Sequence, residues 1–222
     1  SSLPRTVTVN SRESVHVEPD IAEIVYSIST QAAQAADCQQ QNSQEVDQLS
    51  SLLKEMGVAE ASIQTTDYYM NPRYEWVNDV RRLAGYEACT TLTVSDIPME
   101  EAGMILAESV KAGVNHIQSI SYLSSRYDEA YRDALALAVS AAAAKAQSMA
   151  DAAGYSLGQI SYMQETSSYS QARYQDNALM ARKLTDTGEQ DSITILPGEL
   201  EIVAQVIVEY CLEGGLDENS GH

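Results

Sequence analysis

The sequence predicts an α+β fold in which helices pack on a mostly antiparallel sheet. Segments with alternating apolar residues are typical of strands, and segments with apolar residues at three- and four-residue steps are typical of helices. They follow each other in the order β-β-α-β-β-α-β-α-β-β. That order lacks the regular strand–helix–strand repeat of a doubly wound parallel sheet. Hydrophobic residues make up 44% of the 222 positions, which is enough to form a core.

Two strands and a helix are predicted in the first quarter of the chain. Residues 6–10 and 14–18 alternate in polarity, and residues 11–13 between them are predicted to form a turn or a bulge. A further strand is predicted at residues 21–30. Residues 31–56 change to a helical spacing. The residues on one face of this helix are Ala35, Asn42, Val46, Leu49, Leu53 and Met56.

A long β-hairpin is predicted next. Residues 63–76 are rich in β-forming side chains, and residues 81–95 alternate in polarity. Asn78 and Asp79 stand between the two segments, as in a tight hairpin turn. The residues predicted to share one face of the second strand are Tyr86, Ala88, Thr90, Leu92 and Val94.

The remaining elements are two helices and three strands. Helices are predicted at residues 99–112 and 127–153, with a strand at 117–123 between them. A strand opens at residue 157, and the last strand spans residues 201–212. The second helix is rich in alanine, which permits close packing. One side of it carries Tyr131, Leu135, Ala138, Ala142, Ala146 and Met149.

The domain organisation predicted from these elements is simple. Residues 1–213 are predicted to form a single domain. Within it, residues 166–192 are polar and low in β-branched residues, so we expect a variable loop or insertion there. Residues 214–222 are predicted to form a disordered acidic tail.

The charge balance limits the classes of partner. The chain has 13 Lys and Arg residues against 32 Asp and Glu residues, a formal net charge of −19. Such a field repels phosphate backbones and anionic lipid, so we expect neither nucleic-acid binding nor membrane-surface binding. No apolar run is long enough to span a membrane. The first five residues have no signal-like pattern, and we expect that any signal peptide has been removed.

Several short motifs, in a fixed order, resemble a known family. They are Val15-x-Val17-x-Pro19-Asp20-x-Ala22, the helix with Asn42, Ile63-Gln64-Thr65, Pro72-x-Tyr74, Gly85-Tyr86-x-Ala88, Asp96, the Gly113 turn, Ala144-Lys145-Ala146, Leu157-Gly158, Pro197-Gly198-Glu199 and Val206-x-Val208-x-Tyr210. Together they resemble the SIMPL-domain family, typified by YggE-like proteins and immunogenic periplasmic or outer-membrane-associated proteins of bacteria. The resemblance covers roughly residues 5–212.

The resemblance implies an α+β fold and a location outside the cytoplasm, in the periplasm, at the cell surface or secreted. It also implies self-assembly into a homo-oligomer and a loosely defined role in protection against oxidative stress. It carries no catalytic residue to this chain. The chain departs from the family pattern in three ways: Asn10 stands where the family commonly has glycine, the first helix is unusually rich in glutamine, and three cysteines are present.

No catalytic, cofactor-binding or metal site is predicted from the motifs. His16, His116 and His222 have none of the spacings of a zinc site. The sequence has no glycine-rich phosphate loop. Residues 154–158 have the spacing G-x-S-x-G, but they follow a predicted helix and open a predicted strand, whereas a nucleophile elbow leads from a strand into a helix. Acidic pairs lie where helices begin, and there they complement the helix dipole. We therefore expect a protein that is not an enzyme and that uses no cofactor.

The three cysteines leave two alternatives open. Alternation places Cys89 and Cys211 on the more polar faces of their strands. If these strands are neighbours, a disulfide between them is possible in an oxidising compartment. Otherwise they are two independent, partly exposed thiols. Cys38 lies near the apolar edge of the first helix and is expected to pack as a small hydrophobic residue.

An aromatic and arginine cluster on the hairpin is a possible interface. Its members are Tyr68, Tyr69, Tyr74, Trp76, Arg73 and Arg81, with Arg82 nearby. Aromatic residues and arginine are enriched at protein interfaces. The alternative is that these tyrosines fill the core, since the chain has 13 tyrosines and no phenylalanine.

Three functional hypotheses follow. The first is a non-enzymatic protein that acts by assembly or binding through the hairpin at residues 63–95. The second is a redox-protective protein that uses Cys89 and Cys211. The third is an unrecognised hydrolase, which would require a deep pocket with converging carboxylates.

Overall fold

The computed structural model describes residues 3–167 and 193–215. Its strands are β1 (Thr6–Val17), β2 (Ile21–Ala32), β3 (Ile63–Val77), β4 (Val80–Pro98), β5 (Ile117–Leu123), β6 (Ser156–Glu165) and β7 (Leu200–Glu213). Its helices are α1 (Ala35–Glu55), α2 (Met99–Lys111) and α3 (Tyr127–Ala153), with a short 3₁₀ turn at Glu60–Ser62. The predicted α+β class and the predicted order of elements are confirmed.

The contacts of the chain gather into two compact units. The three-stranded unit comprises residues 3–18, 124–167 and 199–215 of the described chain, and the four-stranded unit comprises residues 19–123 and 193–198. The prediction of a single domain over residues 1–213 stays a prediction. Most of the predicted loop and most of the predicted tail lie outside the described residues.

The three-stranded unit is an antiparallel sheet with the order β1-β7-β6, and α3 packs on one face of it. The β1–β7 register runs without a break from Thr6↔Cys211 to Val17↔Leu200. The predicted turn or bulge at residues 11–13 is therefore wrong, because β1 is one continuous strand. The alanines of α3 that meet the sheet are fully or almost fully buried: Ala130, Ala134, Ala138, Ala142, Ala146 and Ala150. Small side chains there let the helix backbone approach the strands closely.

The four-stranded unit is an antiparallel sheet with the order β3-β4-β2-β5. Ile24, Tyr26 and Ile28 of β2 point to the face that α1 and α2 cover, and all three are buried, as their alternation predicts. The residues that the two helices contribute to this core are Leu49, Leu53, Ala102, Ile105 and Leu106. The open face of the sheet is polar, with serine and threonine at alternate positions of β2 and β4.

A buried amide fastens α1 to the centre of this sheet. The Asn42 Nδ2 group donates to the backbone oxygen of Ile28 at 2.8 Å and to that of Ala88 at 3.2 Å. The Thr90 hydroxyl in turn donates to Asn42 Oδ1. Asn42 is only 2% exposed, so these bonds replace all of its contacts with water. One side chain of α1 thereby holds both β2 and β4.

A second contact fixes a segment that returns to the four-stranded unit. The Ile193 N–H donates to the Gly103 backbone oxygen at 3.0 Å. A Cβ placed on Gly103 would lie 2.3 Å from the Ile193 oxygen, so the segment packs directly on the backbone of α2. Ile193 and Ile195 then cover part of the core. The glycine inside α2 is explained by this close approach.

We predict that Asn42→Ala lowers the free energy of unfolding by about 2–3 kcal/mol, because it leaves the buried Thr90 hydroxyl without its acceptor and opens a small cavity. Urea unfolding followed by circular dichroism measures the change. Gln41→Ala is the matched control, because Gln41 is the exposed neighbour on the same helix. An equal effect of the two substitutions would show that Asn42 does not hold the sheet.

Because Tyr26 is buried in the core, we predict that the protein loses stability in alkali. Burial raises the pKa of Tyr26 from 10.0 to about 12, and the hydrogen bond with Ser109 at 2.8 Å opposes this only in part. The folded state therefore holds the phenol proton more tightly than the unfolded state. The raised pKa of Tyr26 contributes about 2–3 kcal/mol to the free energy of unfolding. This contribution is fully present below pH 10 and is lost as the pH rises from 10 to 12.

The measurement is the urea midpoint at several pH values between 9 and 12, with Tyr26→Phe as the comparison. The variant lacks the phenol, so we expect its midpoint to fall less steeply above pH 10. Parallel curves for the two proteins would contradict the assignment to Tyr26.

Candidate interaction surface

A two-residue turn forms the tip of the β3–β4 hairpin, as the sequence predicts. Asn78 and Asp79 connect the strands with φ angles of 50° and 64°. Positive φ at both central residues is the conformation of the turn that suits the twist of a hairpin, and Asn and Asp tolerate it. Val77 pairs with Val80 directly beside the turn.

A mismatch in strand length leaves the end of this hairpin uncovered. The pairing of β2 with β4 stops at Ala32↔Tyr86, and β3 and β4 continue beyond that point with only each other as partners. We call residues 71–84 the arm; every residue in it is exposed. Gly85 marks its base with a φ of 143°, and a Cβ there would lie 2.6 Å from the Ala32 backbone oxygen.

One face of the arm presents aromatic and arginine side chains together. Tyr74 pairs with Leu83, and Trp76 pairs with Arg81, so the four share a face. The Arg81 guanidinium carbon lies 3.8 Å from the centroid of the Tyr74 ring, a cation–π contact. Trp76 is 73% exposed, the largest value among the aromatic residues of the arm. Side chains of this kind contribute most of the binding energy when a partner buries them.

The other face of the arm is also apolar near the turn. Val77 and Val80 are both exposed there, and Glu75 pairs with Arg82 behind them. Exposed apolar side chains on both faces of a two-stranded ribbon are unfavourable in water, and clusters of this kind mark interaction sites. Leu83, Val77 and Val80 were missed by the sequence analysis. Regular alternation along the second strand would place Leu83 opposite Glu75, on the face away from the aromatic residues. The register shift between Arg73 and Tyr74 instead pairs Leu83 with Tyr74.

The arm differs in charge from the chain that carries it. It contains three arginines and two carboxylates, a net charge of +1, in a chain with a formal net charge of −19. The arm is thus a weakly basic element attached to a strongly acidic protein.

The remaining predicted cluster residues lie apart from this face. Tyr68, at the root of the hairpin, donates its hydroxyl to Gln39 Oε1 of α1 at 2.5 Å. Tyr69 pairs with Cys89 across the two strands, and the neighbouring thiol raises the pKa of Tyr69. Arg73 pairs in register with Gly85. The structure therefore brings together Tyr74, Trp76 and Arg81 of the predicted set, and their role as an interface stays a prediction.

The cysteines do not form the predicted pair. Cys89 lies on β4 of the four-stranded sheet and Cys211 on β7 of the three-stranded sheet, so their strands are not neighbours, and all three cysteines are free. The Cys89–Cys211 disulfide is therefore absent. Cys89 is on the polar face, as predicted, but is only 6% exposed, with Ser27 Oγ 3.2 Å from its sulfur. Cys38 is fully buried, as expected.

Metal sites and pockets are the other kinds of site that residues 3–167 and 193–215 could form. No group of three His, Cys, Asp or Glu residues in these ranges is arranged to hold a metal ion. Two depressions of about 570 and 160 Å³ are present, and their linings contain no carboxylate in the first and Glu45 alone in the second. None of the helices in these ranges has the length and apolarity needed to cross a membrane.

Comparison with known proteins gives one family and several relatives. The family model SIMPL, described as a protein of unknown function (DUF541), matches residues 7–210. The 26 kDa periplasmic immunogenic protein of Brucella melitensis is 29% identical over 172 residues, which cover 75% of this chain and 69% of the relative. The uncharacterized protein YggE of Edwardsiella ictaluri is 31% identical, covering 71% and 66%. YggE of Escherichia coli is 30% identical, covering 71% and 63%.

We predict that the exposed face of the arm contributes little to folding. Trp76→Ala and Tyr74→Ala should each change the free energy of unfolding by less than about 0.5 kcal/mol, because neither side chain is buried. Tyr26→Ala in the same unit is the contrasting control, with an expected loss of about 3–5 kcal/mol. Urea unfolding of dilute protein measures all three. A loss of several kcal/mol for Trp76→Ala would mean that the residue serves the fold and would remove the argument for an interface.

Proposed function

The chain belongs to the SIMPL family of proteins of unknown function, and on that premise we propose that it acts without catalysis, by self-assembly through the arm. The observation that carries this proposal is the uncovered aromatic and arginine face of the arm. Trp76, Tyr74 and Arg81 are held in one arrangement by strand pairing, so a partner that binds them has little ordering entropy to overcome.

The partner that fits the arm is a second copy of the chain. The arm carries a net charge of +1, while the rest of the chain is strongly acidic, so an arm is attracted to the body of another copy. Copies without such an element would repel each other at this net charge. Assembly therefore needs a directed contact, and the arm supplies both the apolar area and the favourable charge.

We also propose that the protein works outside the cytoplasm. The support is the name of the Brucella relatives, which describes them as periplasmic. A strongly acidic surface keeps such a protein soluble at the concentrations that assembly requires.

The two alternative functions have less support. A redox-protective role through Cys89 requires an accessible thiol, and Cys89 is 6% exposed. Cys211 is partly exposed but has no second cysteine on a neighbouring strand. The hydrolase hypothesis predicts a deep pocket with converging carboxylates, and the linings of the two described depressions do not contain a pair. We include a role in stress protection in the proposal only as a role of the assembled protein.

The test is the mass distribution in solution, measured by sedimentation velocity over a wide range of concentration. We expect the wild-type chain to form species larger than the 24.2 kDa monomer. Trp76→Ala should raise the concentration needed for the largest species at least about 30-fold, which corresponds to a hot-spot residue of about 2 kcal/mol. Higher salt should weaken the association, because the charge attraction is screened.

The matched control is Met104→Ala. Met104 is an exposed apolar residue of the same unit, 41% exposed, and lies on α2 rather than on the arm. The Met104→Ala substitution should leave the mass distribution unchanged. A strictly monomeric wild-type protein, or a Trp76→Ala protein that assembles like wild type, would overturn the proposal.

A further inference from the structure

The three-stranded unit has two outer strands with open edges. Its order is β1-β7-β6, so β1 and β6 each pair with β7 on one side, and no described strand lies on the other. The pairing of β1 is unbroken over 12 residues, whereas β6 has register shifts on both sides of Ile160 and pairs regularly from Tyr162 to Glu165. Unpaired backbone groups along such an edge are a template for another strand, and proteins that remain monomeric usually cover or interrupt it.

The direction of the β1 backbone groups can be assigned. Leu212 donates its N–H to the Arg5 oxygen at 2.8 Å, so odd-numbered residues of β1 face β7. Because successive residues of a strand direct their backbone groups to opposite sides, the even-numbered residues face outward. The Lys145 ammonium confirms this, since it donates to the outward oxygen of Asn10 at 2.8 Å. Lys145 thus covers one acceptor of the edge.

A shallow groove, open to solvent over most of its surface, lies along this edge beside α3. Its volume is about 570 Å³, and it lies between residues 8–10 of β1 and the helix side chains Ala144, Ser148 and Met149. Met149 is 52% exposed, although the helical spacing places it with the buried residues. This flank of α3 therefore overhangs a space that no described strand occupies.

The opposite edge of the same sheet has the complementary feature. Ile160 pairs with Tyr210, and Met163 pairs with Val208. Tyr210 and Val208 are buried beneath α3, so Ile160 and Met163 also project on the helix side of the sheet. They are nevertheless 47% and 52% exposed, because α3 packs on Leu157 at the start of β6 and leaves this later part of the strand uncovered.

We propose that β6 of a second copy adds to the outer edge of β1, in the groove beside α3. Both strands are antiparallel to β7, so with the helix on the same side of both sheets the added strand runs parallel to β1. Ile160 and Met163 of the second copy then lie beside Met149, where each covers apolar surface that water contacts in the single chain. This gives the proposed self-assembly a second surface, built from the three-stranded unit alone.

The contact joins two different surfaces, so it is heterologous. Each copy offers a groove at one edge and a β6 strand at the other, and repetition produces a ring or a filament. Pairing along β1 requires the outward oxygen of Asn10. Lys145 must therefore release that oxygen when the strand arrives, which makes Lys145 a competitor of the contact.

Two variants test the proposal by complementation, in a Trp76→Ala background that weakens the arm contact at least about 30-fold. The groove variant carries Ala144→Glu and Met149→Glu, and the strand variant carries Ile160→Glu and Met163→Glu. All four positions are exposed, so the fold is kept, which circular dichroism verifies. The background protein should assemble, and each variant alone should be monomeric. An equal mixture should form a dimer of twice 24.2 kDa and nothing larger, since one intact groove meets one intact strand.

A background protein that is monomeric at every concentration, variants that assemble as the background does, or a mixture that stays monomeric would each overturn the strand contact. These results are independent of the arm. Comparison of wild type with Trp76→Ala decides the arm, and the mixture decides the strand edge.

Lys145→Ala provides a second measurement in the same background. It should tighten the association by about threefold to tenfold, the factor that one ordinary hydrogen bond contributes to an equilibrium. Lys145→Arg keeps a donor at that position and should behave like the background. An unchanged or weaker association of Lys145→Ala would contradict pairing at the outward edge of β1.

Discussion

The antiparallel pairing of β2 with β4 is the interaction on which the four-stranded unit depends. It runs from Ile21↔Pro98 to Ala32↔Tyr86, and both helices of the unit pack on the face that it creates. Asn42 binds backbone oxygens of both strands, so α1 is attached to the pair rather than to one strand. The point where this pairing ends also decides where the arm begins, because the hairpin extends past the last residue of β2.

The arm and the open edges have the same physical origin. An open sheet leaves its outer strands with unpaired backbone groups. A strand that extends beyond its neighbours leaves side chains uncovered on both faces. In the four-stranded unit the longer strands produce the arm. In the three-stranded unit the position of α3, over β1 and β7, exposes Ile160 and Met163 on one edge and a groove on the other. Assembly would bury each of these features, and nothing in their geometry requires a small-molecule ligand.

In the proposed assembly, the charge of the chain makes the contacts selective. At a net charge of −19 two copies repel each other at long range, which suppresses indiscriminate association of the exposed apolar residues. Contacts that bring the basic arm, or the nearly neutral β1 strand, against another copy meet less of that repulsion. In the proposed assembly the acidic composition and the exposed apolar surfaces are compatible, because charge repulsion opposes indiscriminate association and the apolar surfaces form the directed contact.

The sequence by itself determined the class of fold, the order of its ten main elements and the tip of the hairpin, because these depend on local periodicity and on the conformational tolerance of residues such as Asn78 and Asp79. It also indicated that Tyr74, Trp76 and Arg81 belong together, and its ordered motifs indicated the family that residues 7–210 match. Only the tertiary structure decided which strands pair. That pairing separated Cys89 from Cys211, made β1 continuous and left Met149 exposed on a helical face that spacing had assigned to the core. The reason is physical: periodicity records which side of an element faces inward, whereas strand partners and strand ends depend on contacts between residues far apart in the chain, which no local pattern contains.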